Sequence, residues 1–163
     1  MGWRVGYIAY ATPPGRIDVL GPAFLKCQDT VCICAAQVSQ YLALAALRTG
    51  QAYKKQMIAT LAHNRELLLA ALEPLGTLGN GIMGGEGAIY FWARLPPGCE
   101  DDMRAVEWIT HKHGVCMVPG SACLVPGWIR VAFGNLAPDK MPEACRRLRE
   151  GLQQLKILGA IPA

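Results

Sequence analysis

No stretch of this chain stays apolar for the length of a membrane span. Dense tracts of Lys and Arg are missing too. The net charge of +4, from 16 basic against 12 acidic residues, is spread along the sequence, which argues against a nucleic-acid or membrane-surface partner. A leader pattern is also lacking. Arg4 interrupts the segment from Met1 to Pro13, and Pro13, Pro14, Gly15 and Arg16 stand where an apolar region would continue. The seven cysteines are an odd number and include no CxxC pair, as expected for buried thiols in a reducing compartment rather than a disulfide framework. These absences predict a soluble intracellular protein. The cytoplasm is the expected location, with a plastid form lacking its transit peptide as the alternative. Internal repeats and low-complexity tracts are absent.

What is present suits a folded chain. The 163 residues are 52% hydrophobic and 17% charged, enough apolar material for a core. Trp3 to Tyr10 alternates loosely and reads as a strand ended by Pro13, Pro14 and Gly15. Helices are predicted over Ile17 to Thr30, over Ala35 to Thr49 with its end at Gly50, and over Ala52 to Leu72. In the last of these, Met57, Ile58, Leu61, Leu68 and Leu72 form an apolar stripe, and Lys54, Lys55, Arg65 and Glu66 are expected to be mostly solvated. Ala88 to Leu95 reads as a strand, followed by a helix from Met103 to His113 capped by Asp102. Short strands are predicted at Val115 to Val118 and Trp128 to Phe133, with the loop Pro119 to Gly127 between them. The final helix repeats apolar residues at Met141, Cys145, Leu148, Leu152 and Leu155, with Asp139 as N-cap and Pro142 in the first turn. The order is thus strand, three helices, strand, helix, two strands, helix. The N-terminal strand has no evident sheet partner in the sequence.

Four features invite a chemical reading. Arg4, in GWRVGY, lies between glycines that allow close approach of a ligand, and a guanidinium suits a phosphate. The plainer alternative is a surface arginine. Arg130 is the only charge in WIRVAF. Period two places it on one face with Trp128 and Ala132, opposite Ile129, Val131 and Phe133. A guanidinium among apolar neighbours needs a carboxylate, from a ligand or from an internal salt bridge. Gly79, Gly81 and Gly84 match GxGxxG, but a helix precedes and a strand follows, the reverse of a dinucleotide fingerprint, so a flexible turn is expected. Cys32, Cys34, His111, His113 and Cys116 include possible metal ligands, but their spacing fits no structural zinc pattern, and no metal is expected.

Taken in order, GWRVGYIAY, the helical stretch after Lys26-Cys27-Gln28-Asp29, GEGAIYFWARLP and HGVCMVPGSACLVPGWIRVAFGN resemble the class I/II aminotransferases of fold type I. Plant-type aromatic aminotransferases and their kynurenine- and aspartate-aminotransferase relatives are the nearest in look. The resemblance runs from Met1 to the final helix. It implies an α/β fold, with the end of the large cofactor-binding domain and its connecting helix over residues 1–76 and the small α+β domain over 77–163. It also implies pyridoxal 5'-phosphate as cofactor, with Arg4 on its phosphate and Arg130 on the α-carboxylate of the substrate. The loop Pro119 to Gly127 would lie near the substrate side chain.

By the same resemblance the Schiff-base lysine, which anchors the cofactor and moves a substrate proton, lies a few residues before the segment matching GWR, upstream of Met1. No catalytic residue is therefore assigned within the chain, and none of its lysines is nominated as a substitute. The expected reaction is amino transfer between an amino acid, aromatic or methionine, and a 2-oxo acid. It would run in a homodimeric parent, and these 163 residues are expected to be inactive alone. The alternatives are a non-catalytic truncated product that associates with a full-length subunit, and a small-ligand domain using Arg130. Apolar surface left open by absent sheet would favour aggregation.

Overall fold

The computed structural model describes residues 3–14, 18–31 and 33–162, without the side chains of Met57 and Thr60. Gly15, the helix start at Ile17, Cys32 and the Met57 position of the apolar stripe therefore lie outside the described residues. The fold is mixed α/β, and the chain divides into two compact units, 1–55 and 56–163.

In the first unit, residues 4–13 are irregular rather than a strand. Two physical causes act together. Arg4 adopts a left-handed backbone with φ of 49°, and no other segment among the described residues of this unit is a strand that could pair with it. Helix α1 spans Leu20–Val31. Asp18 starts it by accepting hydrogen bonds from the backbone N–H groups of Leu20 and Gly21 at 3.2 and 2.9 Å, groups that a first helical turn leaves unsatisfied. Those bonds, that from Gly21 first, hold the Asp18 carboxyl below its ordinary pKa. Helix α2, Gln37–Arg48, ends where its C-cap Thr49 precedes Gly50 with φ of 80°. Helix α3 covers Gly50–Ala71.

The second unit is a sheet covered on one face by helices. Its strands are β1 (Thr77–Leu78), β2 (Gly81–Gly84), β3 (Tyr90–Arg94), β4 (Val118–Pro119) and β5 (Trp128–Ala132), in the order β1-β2-β3-β5-β4. All neighbours after the short parallel β1–β2 pair run antiparallel. The expected glycine turn is thus in part a strand. Gly81 opens β2 with φ of 89°, and an added Cβ there would meet the Leu75 carbonyl oxygen at 2.5 Å. Gly81 and Gly84 permit close backbone packing, a use of glycine that looks the same as flexibility in the sequence.

Helices α4 (Asp102–His113) and α5 (Met141–Leu158) lie over the face formed by Ile82, Phe91, Ala93, Ile129 and Val131, all buried. In α5, Met141, Cys145, Leu148, Leu152 and Leu155 are all buried, as their spacing predicts. Its N-cap is Lys140, not Asp139, and carries no side-chain cap. The end of α3 joins this core through Leu68 and Ala71, and Leu72 joins it directly after the helix, whereas Ile58 of the expected stripe is 65% exposed. Asn64 is buried, and its amide donates to the carbonyls of Phe133 and Leu136, each at 3.2 Å. Arg65 is half-buried rather than mostly solvated: its Nε donates to the Gly85 carbonyl at 2.8 Å, and its guanidinium lies over the Phe91 ring.

Candidate functional site

Strand β5 alternates as its sequence demands. Ile129 and Val131 point into the core, while Trp128, Arg130 and Ala132 stand half-buried on the other face. Register places Arg130 opposite Trp92 of β3 and Val118 of β4. Its guanidinium lies 5.1 Å from the centre of the Tyr90 ring, and Nη1 is 3.9 Å from the Cys123 Sγ. Next to it, Arg94 sits over the Trp128 ring at 5.3 Å. Aromatic faces stabilise such cations but leave their N–H donors free.

Among the described residues no carboxylate lies within salt-bridge distance of Arg130. The internal ion pair considered from the sequence is therefore not made among the described residues. The guanidinium, beside the Tyr90 ring and across the strand register from Trp92, is a group of the kind that can take a carboxylate in a two-bonded fork.

The loop after β4 shapes one side of this position. It begins with a short 3-10 turn, Gly120–Cys123. An added Cβ on Gly120 would collide with the Val125 carbonyl and come within 2.6 Å of that of Trp128, so only glycine allows this tight winding. Asp102, expected to cap α4, does something else. Asp101 is the cap and accepts from the Arg104 N–H at 3.1 Å. Asp102 is the first helical residue, is 1% exposed, and accepts from the N–H groups of Ser121 and Gly127 at 2.9 and 3.0 Å. Two adjacent acids at a helix start were the available sign, but which one faces inward depends on where the chain after β4 returns.

Arg4 belongs to the first unit, where its side chain is exposed. Around Gly6 the backbone is open, with nothing within 4 Å of an added Cβ. One guanidinium free to meet a phosphate fits that end of a phosphorylated cofactor, while the described residues of this unit form no enclosing cradle for the remainder. The possible metal ligands are dispersed: Cys34, Cys116 and His111 are exposed, and His113 packs edge-on against Trp108. No group of three His, Cys, Asp or Glu among the described residues could share an ion, nor is any helix among them long and apolar enough to cross a membrane. Burial raises the Cys145 thiol to about 11 and raises that of Cys99 as well, so both are inert at neutral pH.

Comparison with known proteins gives this arrangement a family. The chain is 46% identical over 155 residues to the aromatic aminotransferase ISS1 of Arabidopsis thaliana, covering 95% of the chain and 38% of that protein. It is 29% identical over 151 residues to an aspartate aminotransferase of Thermotoga maritima, covering 93% and 36%. The crystal structure of an aspartate aminotransferase from Thermotoga maritima superposes with a TM-score of 0.61 at 29% identity, over 79% of the chain and 32% of that structure. An aminotransferase from Mycobacterium tuberculosis gives 0.65 at 25% identity, over 84% and 36%. The chain thus spans little more than a third of the length of these curated relatives. Residues 1–148 match the family described as aminotransferase class I and II, and the chain belongs to that family.

Proposed function

We propose that these residues are the substrate-carboxylate part of a pyridoxal-phosphate-dependent aminotransferase, which moves an amino group between an amino acid and a 2-oxo acid. The observation that carries the reading is Arg130, half-buried on an aromatic face and without a carboxylate partner among the described residues. Arg130 holds the α-carboxylate in a two-bonded fork, which fixes the substrate's orientation. The Tyr90 ring covers one side of the guanidinium, and with Trp92 opposite in register it favours an aromatic or methionine side chain. Similarity to an aromatic aminotransferase supports the same substrate class.

Arg4 would hold the cofactor phosphate. Pyridoxal phosphate, when bound, supplies the electron-withdrawing ring that amino transfer requires. No lysine of the chain is assigned as the cofactor's anchor. The working form is a cytoplasmic homodimer. Residues 1–76 complete its large domain and 77–163 form its small one.

The test is calorimetric binding of phenylpyruvate to the 163-residue chain, beside its uncharged counterpart phenylacetone. The carboxylate should bind about tenfold more tightly, and Arg130→Gln should abolish the difference. Equal affinities in the unaltered chain would overturn the assignment.

A further inference from the structure

We propose that Asp102 is a positioning residue for the Arg130 site, holding the loop that sets how a carboxylate can approach the guanidinium. The inference rests on the reading of Arg130 as the carboxylate-binding group. A single oxygen, Asp102 Oδ2, accepts from the N–H groups of Ser121 and Gly127, near the two ends of the loop. Between those points the chain is wound tightly. Val125 N–H donates to the Gly120 carbonyl at 2.9 Å and Leu124 N–H to that of Ser121 at 3.1 Å. Leu124 is forced into a left-handed backbone with φ of 62°. Cys123, inside the wound segment, is the residue whose Sγ lies 3.9 Å from Arg130 Nη1. The Gly127 carbonyl accepts from the Leu95 N–H at 2.9 Å, which fastens the far end of the loop beyond β3.

Two further facts separate this role from ordinary helix capping. Asp101 already caps α4, so Asp102 is not needed for that. Asp102 is also buried at 1% exposure, and its Oδ1 has no hydrogen-bond partner among the described residues. A buried acid with one oxygen unsatisfied is costly. The two loop N–H groups offset part of that cost at Oδ2, and the start of α4 favours an acid at this position. The carboxylate thus couples a rigid helix end to the loop, and through Cys123 to the space beside Arg130.

The test uses the thiol of Cys123 as a local probe in the 163-residue chain. Iodoacetate and iodoacetamide compete for each cysteine. The thiolate forms an S–C bond as the C–I bond breaks, iodide leaves, and the thiol proton goes to solvent. Peptide mass spectrometry reads the ratio of charged to neutral product at each position. Cys123 should favour the anionic reagent about three- to tenfold relative to the exposed Cys27 and Cys34, because Arg130 receives its carboxylate. Arg130→Gln should remove the preference. Asp102→Ala should reduce it below about twofold and leave Cys27 and Cys34 unaltered. Asp102→Asn, which keeps a weaker acceptor, should give an intermediate ratio. Protection of the buried Cys99 and Cys145 reports that each variant is folded.

No preference in the unaltered chain would bring down the Arg130 reading and this proposal with it. An unaltered ratio in folded Asp102→Ala would overturn the positioning role alone. Should Asp102→Ala uncover Cys99 and Cys145, Asp102→Asn decides. A lowered ratio with faster amide exchange at Ser121 and Gly127 supports the role, and unaltered values overturn it.

Discussion

The two units use apolar residues very differently. In residues 56–162, Phe91, Ile82, Ile129, Leu148, Leu152 and Leu155 lie in one continuous core between a sheet and two helices. In residues 3–55, α1 buries none of its residues, α2 buries only Ser39, and Tyr7, Leu25, Tyr41 and Leu47 are exposed. Both regions have good helical segments. The difference lies in the opposing layer: a helix buries a stripe only where another element offers a complementary apolar face. The second unit contains such a face in its own sheet. The described residues of the first contain no strand at all, and their apolar side chains remain as surface that favours a partner or self-association.

The largest test of this contrast is a pair of truncations. Phe91→Ala should cost about 3–5 kcal/mol in urea unfolding followed at the second unit. Leu25→Ala, at a residue 61% exposed, should change stability by less than about 0.5 kcal/mol. Comparable losses would show that α1 has a buried face in solution. A smaller effect is expected from Tyr41→Lys with Leu44→Lys, three residues apart on one face of α2 and both exposed. Light scattering should show less self-association, with the unfolding midpoint of the second unit unaltered. Loss of folding instead would mean that these side chains are covered.

The smallest effect concerns pH. Hydrogen bonds from Arg146 and then Arg147 lower the Glu143 carboxyl to about 2. A depressed carboxyl contributes stability that is fully present above its ordinary value of 4.5 and is lost as pH falls toward about 2. Glu143→Gln should therefore flatten the acid side of the stability profile slightly, since the pair is exposed and screened. An identical profile in the variant would mean that the pair contributes nothing in solution.

Much of the second unit was legible from the sequence, for reasons that particular residues show. The apolar repeat from Met141 to Leu155 names its own buried face, and the alternation in WIRVAF separates Arg130 from the core. Pro96, Pro97 and Gly98 delimit β3 from one side. The misreadings share a cause. Trp3 to Tyr10 has strand composition, but a strand exists only when paired. Gly81 to Gly84 has turn composition, yet β3 supplies a partner. Asp102 and Asp101 are equivalent as sequence, and only the returning loop distinguishes them. Arg65 reads as the wet side of a helix in the sequence, and only the arrival of the segment around Gly85 gives it a partner; the burial of Asn64 against Phe133 has no local sign at all.

The sequence alone determined the periodicities, and through them the helices, the core face of α5 and the outward placement of Arg130, because these follow from 3.6- and two-residue repeats of a single element. The ordered set of motifs also carried the family. Tertiary structure alone decided which strands exist, which acid is buried, and that Arg130 meets Tyr90 and Cys123. Those outcomes depend on pairing and hydrogen bonding between segments far apart in the chain, and no local pattern encodes where a distant backbone N–H will arrive.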